Sequence, residues 1–337
     1  MPDTILAFAS EFKEAFAMSP ANSPSNEDPA RRDRSDIIAG NWVDRWLPGP
    51  VRPYARLARW DRPIGTWLLL LPCWWGVAMA GHGSGEPVWM LIWYGVLFGI
   101  GATAMRGAGC TWNDITDRDI DGKVARTATR PIPSGQVSVK QALAFIVLQS
   151  LVGLAVLSQF TWEAIIVAIA SLAVVAIYPF MKRYTYFPQA FLGIAFNWGV
   201  LVAGALLMGQ IAPQILVLYA AGFCWTMSYD TIYAHQDKDD DILIGVKSTA
   251  LKFGDRTRPI IGGFMALTLA LVASAAWMHG VAGPLFWVGL AAAAGHFLWQ
   301  LKTLEFDNPK NLIKHFKGNR HAGMLITVAL ALGGVTL

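Results

Sequence analysis

Nine consecutive residues, Asn113-Asp114-Ile115-Thr116-Asp117-Arg118-Asp119-Ile120-Asp121, hold five acidic or amide oxygen donors at the end of a long apolar run. Asn113, Asp117 and Asp121 are four apart, so a helix puts them on one face. Like charges packed that way repel unless a cation lies between them. Oxygen donors with no His or Cys nearby suit Mg²⁺ far better than zinc. Just downstream, the basic run from Lys123 through Arg126 to Arg130 can hold an anion that the same metal touches. A second stretch, Tyr229 to Asp241, echoes the first. Asp230, Tyr233, Asp237 and Asp241 are expected on one helical face, and Asp237 and Asp241 repeat the step from Asp117 to Asp121. One acidic cluster is as readily a solvated helix end. Two with matched spacing imply two Mg²⁺ ions bridging one polyanion, most simply a diphosphate.

The elements that must position these groups are apolar. Of 337 residues, 54% are hydrophobic and 15% charged, whereas soluble domains carry about 25% charged residues. This excludes an ordinary soluble protein and predicts an all-α, polytopic membrane chain. Nine segments approach the roughly 20 residues of a spanning helix: 64–81, 88–108, 140–158, 162–181, 190–209, 211–230, 259–279, 282–301 and 321–337. With that division, and counting flanking end residues such as Arg106 and Lys140 with the adjoining loops, all 27 Lys and Arg fall in the leader or in the loops after the second, fourth, sixth and eighth segments. Positive-inside bias then places these on the cytoplasmic side. Both acidic stretches emerge there, which spares carboxylates the cost of the bilayer centre. They are thereby expected to face each other across one cavity.

The chain divides into a polar, partly disordered cytoplasmic leader over residues 1–53 and a transmembrane domain over 54–337. Residues 5–18 are expected to form a short amphipathic helix, and the segment from Trp42 to Trp60 to lie on the membrane surface. Asp3, Glu11 and Glu14 are unlike a mitochondrial transit peptide. A bacterial inner membrane is therefore the first expectation for location and the mitochondrial inner membrane the second. Cys73, Cys110 and Cys224 have no ligand or disulfide spacing and read as small buried hydrophobes. Asn197 is expected to hydrogen-bond between helices, and His296 to be a satisfied packing residue. Trp67, Trp74 and Trp75 are candidates to line a cavity. Lys182 and Arg183 end the fourth segment at the same edge as the acids.

A diphosphate held by metal and arginine within a membrane points to a prenyl diphosphate, whose tail belongs in lipid and whose head belongs at the interface. The pattern Asn113-Asp114-x-x-Asp117-x-x-x-Asp121, followed by Arg126-Thr127 and Arg130-Pro131, resembles the first signature of the UbiA superfamily of intramembrane prenyltransferases. Asp237-x-x-x-Asp241, followed by Gly245-Val246-Lys247-Ser248-Thr249, resembles the second. The run from Arg62-Pro63-Ile64-Gly65 to Pro72, and Tyr229-Asp230-Thr231-x-Tyr233-Ala234, are similar to the 4-hydroxybenzoate polyprenyltransferase branch. The resemblance spans about residues 54–337.

It implies nine helices around a central cavity with a cytoplasmic cap, Mg²⁺ dependence, and transfer of a polyprenyl group to 4-hydroxybenzoate in ubiquinone biosynthesis. It further implies metal-facing roles for Asn113, Asp117, Asp237 and Asp241, with Asp121 in support. Arg126, Arg130, Lys182 and Arg183 become diphosphate candidates, with Asp117, Asp237 and Arg183 closest to catalysis. Tyr233 is a substrate-side candidate. Arg62 binds either the acceptor carboxylate or the diphosphate. Two competing expectations are another acceptor within the superfamily and a cation-coupled transporter. The transporter fits less well, because its carboxylates belong near the bilayer midplane.

Overall fold

Long runs of Leu, Val, Ile and Ala in lipid favour the α-helix, which satisfies every backbone N–H and C=O within the segment. The computed structural model describes residues 35, 37, 40–123 and 126–335, with no strand among them. The helices are α1 (Trp42–Trp46), α2 (Arg52–Leu57), α3 (Ile64–Ala80), α4 (Val88–Asp121), α5 (Val139–Leu157), α6 (Trp162–Ile177), α7 (Met181–Tyr184), α8 (Pro188–Met208), α9 (Pro213–Ala234), α10 (Lys238–Ile244), α11 (Thr249–Phe253), α12 (Thr257–His279), α13 (Pro284–Thr303) and α14 (Pro309–Leu332). Single 3₁₀ turns over Tyr178–Phe180 and His235–Asp237 link α6 to α7 and α9 to α10. The helix expected over 5–18, and most of the leader, lie outside the described residues.

Each of the nine apolar segments coincides with one of these helices. Among the described residues, six helices are long and apolar enough to cross a membrane. These are the segments Val88–Asp121, Val139–Leu157, Trp162–Tyr184, Pro188–Met208, Pro213–Asp237 and Thr249–His279. α3 is apolar but only 17 residues long. Two boundaries differ from the sequence expectation. α4 runs on to Asp121 instead of stopping at 108, so the first acidic stretch is itself helical. α14 begins at Pro309 rather than 321, because one face of its basic half is buried through Leu312, His315 and Asn319. Hydropathy averages over such an amphipathic helix and misses it.

Helix ends follow local chemistry. Pro188, Pro213, Pro284 and Pro309 each open a helix, where a missing N–H costs nothing. Gly209 and Gly280, at φ 67° and 78°, end α8 and α12 in the left-handed region that glycine enters without strain.

The described residues form two compact units, one drawn from those within 1–63 and 103–154, the other from those within 64–102 and 155–337. In the first, Leu57, Ala58, Ile132, Val137, Ala142 and Phe145 form an apolar cluster. In the second, α8 packs against α3, α6 and α9, α12 against α9, and α14 against α3 and α13. Trp75, Trp225, Phe286 and Phe297 are buried in its core. Trp75 is therefore a packing residue, and its indole N–H donates to the Gly323 carbonyl at 2.8 Å. Asn197 joins α8 to α9 by donating to Thr226 Oγ1 at 2.8 Å, the interhelical role expected of it. His296 Nε2 pairs with the Gly318 carbonyl at 3.0 Å. All three cysteines are buried and free.

Close approach of α3 and α8 depends on a missing side chain. A Cβ on Gly76 would lie 2.6 Å from the Ala203 Cβ and 3.2 Å from the Val200 backbone. Small residues allow such contacts between helices in lipid. Gly76→Val is expected to destabilise the protein by about 1–3 kcal/mol, as overpacking does. Gly263→Ala on α12, where a Cβ meets nothing within 4 Å, is expected to be neutral or stabilising. Thermal unfolding in detergent measures both.

Candidate active site

The first acidic set belongs to the last three turns of α4. Because that helix is unbroken to Asp121, Asn113, Asp117 and Asp121 do share a face. Asp117 is fully buried and Asp121 nearly so. Asp114, one position round the helix from Asn113, is also fully buried and is the electrostatic hub of this unit. Its Oδ1 accepts from Arg59 Nη2 at 2.6 Å and from Arg130 Nη1 at 3.2 Å. The same Arg130 nitrogen donates to Asp121 Oδ2 at 2.9 Å. Arg130, expected from sequence to be a diphosphate ligand, is thus buried and paired with two carboxylates. Arg59 reaches Asp114 from a backbone with φ 59°, the only non-glycine positive φ among the described residues. Such a conformation costs of order 1–3 kcal/mol and persists only where the surroundings fix it.

The loop after α4 folds back over its end. Thr127 Oγ1 donates to the Asp121 carbonyl at 2.8 Å, Ser134 Oγ to the Arg130 carbonyl at 2.7 Å, and the Val137 N–H to the Pro131 carbonyl at 2.9 Å. Arg126, half-buried, lies in this loop. Arg62 is in the same unit, its Nε 3.8 Å from Asp61 Oδ1.

The second acidic set belongs to the other unit and does not lie on one continuous helix. α9 stops at Ala234, a 3₁₀ turn carries Asp237, and Asp241 is in α10. Tyr233, Asp237 and Asp241 therefore occupy three successive elements, and a 3₁₀ turn breaks the 3.6-residue period that would align them. α10 ends at Gly245, φ 72°, whose N–H donates to the Asp241 carbonyl. The chain then binds α7. The Lys247 N–H donates to the Lys182 carbonyl at 3.0 Å, and Lys247 Nζ to the Tyr184 carbonyl at 3.1 Å. These bonds bring Lys182 and Arg183 beside the Gly245–Lys247 turn that follows Asp241. The Arg183 guanidinium lies 5.5 Å from the Phe180 ring centroid.

A file of ring contacts leads to this set from the core of the same unit. Trp75 meets Trp225 at 4.9 Å, Trp225 meets Tyr229 at 5.0 Å, Tyr229 meets Phe316 at 6.0 Å, and Phe316 meets Tyr233 at 4.6 Å. Phe316 and Arg320 on α14 fall in what the sequence reads as the cationic loop after the eighth segment, so residue type alone does not single them out. The Arg320 guanidinium lies 5.9 Å from the Trp67 ring centroid.

Among the described residues, no group of three or more His, Cys, Asp or Glu side chains converges tightly enough to cage a metal. The donors are nonetheless carboxylate and amide oxygens only. That set fits Mg²⁺, which takes one or two protein carboxylates and completes its shell with water and substrate phosphate.

Removing one partner of a buried ion pair strands the other and costs about 3–5 kcal/mol. Asp114→Ala is expected to show a loss of that size in thermal unfolding, because Arg59 and Arg130 both lose a carboxylate. Asp119→Ala, at an 85% exposed side chain paired only loosely with Arg118, is expected to cost about 0–1 kcal/mol. Equal effects would show that the Asp114 network is not what holds this helix end.

Residues 69–327 match the UbiA prenyltransferase family. The chain is 44% identical over 314 residues to "4-hydroxybenzoate polyprenyltransferase, mitochondrial" of Arabidopsis thaliana, covering 92% of this chain and 75% of that protein. It is 43% identical over 313 residues to the Homo sapiens protein of the same name, covering 93% and 83% respectively. Among solved structures, a UbiA homolog from Aeropyrum pernix K1 superposes with TM-score 0.67 at 24% identity, over 80% of this chain and 98% of that one. A UbiA homolog from Archaeoglobus fulgidus bound to GPP and Mg²⁺ superposes with TM-score 0.59 at 19% identity, over 84% and 100%. With a family match over most of its length and relatives about 44% identical over nine-tenths of it, this chain belongs to the UbiA prenyltransferase family.

Proposed function

We propose that the protein transfers a polyprenyl group from a polyprenyl diphosphate to 4-hydroxybenzoate, at the ring carbon ortho to the hydroxyl, with Mg²⁺ as cofactor, in ubiquinone biosynthesis. The observation that carries this reading is about 44% identity over nine-tenths of the chain to proteins named for that activity. The two oxygen-donor sets and their neighbouring cations support it. Asn113, Asp117 and Asp121 from α4, with Asp237 and Asp241 from the second set, would hold the metal. Mg²⁺ bound there neutralises charge on the diphosphate oxygens.

This chain's residues have four tasks. The first is to grip the diphosphate. Arg126, Lys182 and Arg183 suit it, and Arg183 is the cation we place nearest the scissile oxygen. Arg130 has a different role, since it is engaged by Asp114 and Asp121. It keeps Asp121 in place and offsets the repulsion along the acidic face. The second task is to let the C–O bond break with its electron pair leaving on diphosphate, while water is kept from the allylic cation. Tyr233 and Phe316 present ring faces suited to that cation. The third is to orient the acceptor, for which Arg62 would pair with the carboxylate of 4-hydroxybenzoate. The fourth is to polarise the phenol, which we assign to Asp237. The new C–C bond then forms at the ortho carbon, and the proton lost from that carbon restores the ring.

The relatives' names carry the word mitochondrial, which fits a mitochondrial membrane better than the bacterial inner membrane first expected from the leader.

Membranes containing the protein, incubated with labelled polyprenyl diphosphate and Mg²⁺, are expected to prenylate 4-hydroxybenzoate in preference to dihydroxynaphthoate or homogentisate. Chelation of divalent metal should abolish transfer. Asp117→Ala and Asp237→Ala should each lower kcat by about 10²–10³-fold, the cost of losing one electrostatic contact in the transition state, while the protein still inserts. Full activity in both variants would refute the assignment of the two sets.

A further inference from the structure

The basic half of α14 has two faces with different partners. One face is buried against α13, and the register is fixed along its length. The Gly283 N–H donates to the Gly333 carbonyl at 3.1 Å at one end. Asn311 Nδ2 donates to the Thr303 carbonyl at 2.9 Å at the other. Between them Gln300 Nε2 donates to the His315 carbonyl at 3.1 Å. The opposite face carries Lys310, Lys314, Lys317 and His321 at steps of four, three and four, all exposed. The same face continues as exposed Val328 and Leu332. One stripe of one helix thus passes from cationic to apolar, and its apolar half has the character of a lipid-facing surface.

Depth sharpens the point. At 1.5 Å per residue, Lys314 stands about 28 Å and Lys317 about 24 Å along the axis from the Gly333 end. The hydrocarbon core is about 30 Å thick. The Gly333 end lies beside the end of α12, through Gly280 and Gly283 in the connecting turn, and α12 belongs to one of the candidate spans. A helix set along the bilayer normal with its Gly333 end at one boundary would carry Lys314 to the other boundary and Lys317 just inside it. Among the described residues none of these three lysines is ion-paired to a carboxylate. Lys314 Nζ lies 5.5 Å from the ring centroid of Trp299, a partly exposed indole of the kind found at the headgroup level.

We propose that this stripe binds the headgroup of an anionic phospholipid, with its phosphate among Lys310, Lys314 and Lys317 and an acyl chain along Val328 and Leu332. Ammonium groups at the acyl boundary extend toward the interface, and a lipid phosphate there supplies the charge the protein does not. Basic pockets between membrane helices recognise such headgroups by the same electrostatics. The site shares no residue with either acidic set and does not depend on the prenyl-transfer reading.

The test uses the full chain in a non-ionic detergent, with thermal unfolding as readout. Phosphatidylglycerol is expected to raise Tm by several degrees, as a ligand of the folded state does. Phosphatidylcholine and glycerol 1-phosphate are expected to leave it unchanged, which separates a lipid site from a free-phosphate site. The triple variant K310Q/K314Q/K317Q should lose the response. K140Q, which removes an exposed lysine at the start of α5, should keep it. If the triple variant does not fold, K314Q alone should retain about fivefold less phosphatidylglycerol in native mass spectrometry, the effect of one lysine near a lipid surface. An undiminished response in the lysine variants, or equal stabilisation by phosphatidylcholine, overturns the proposal.

Discussion

Carboxylates at the end of an apolar helix cannot be left without countercharge, and the first unit is built around that constraint. Asp114 is fully buried. An ionised carboxylate in that position is tolerable only with cations against it. Arg59 and Arg130 supply them from opposite directions along the chain. Their shared pairing ties three separate segments, the turn after α2, the end of α4 and the loop beyond, to one point. The left-handed backbone at Arg59 follows from this, since the strain is small beside the cost of an unpaired buried aspartate. Asp121 is drawn in through the same Arg130 nitrogen, which keeps the acidic face of α4 from flying apart.

The second unit meets a related need with backbone geometry. Asp237 and Asp241 are half-buried rather than fully enclosed, one in a 3₁₀ turn and the other in the short helix after it. What fixes their surroundings is the turn at Gly245 and the main-chain bond from Lys247 to Lys182. The cations after α6 are thereby carried to the chain that follows Asp241. Basic side chains thus accompany each acidic set, one by direct ion pairing and the other through the peptide backbone.

α14 shows how a single helix can serve two environments. Its buried face donates and accepts hydrogen bonds with α13, and Phe316 on it reaches Tyr233. Its outer face carries lysines that pass into apolar residues. Averaged over a window these properties cancel, which is why residues 309–320 read as a loop and only 321–337 as a spanning segment.

Much of this was legible in the residues. Apolar runs of about 20 announced an all-α membrane chain, because in lipid the backbone has no alternative to bonding within the segment, and six helices among the described residues are long and apolar enough to cross. Proline at helix starts and glycine at helix ends marked several boundaries. The four-residue steps of Asn113, Asp117 and Asp121, and of Asp237 and Asp241, identified the two sets and the family they resemble, since ligand type and spacing are local properties. Partner choice was decided only by the tertiary structure. Arg59 is 55 positions from Asp114 and reaches it through a backbone conformation that no pattern of residue types announces. Arg130 reads as a free cation beside a metal-binding run, and only packing buries it against two carboxylates. The 3₁₀ turn that takes Asp237 off the helix face is likewise not announced by the four-residue spacing. Local spacing says which groups are present, but charge pairing in a low dielectric acts through space, so the fold alone determines which opposite charges meet.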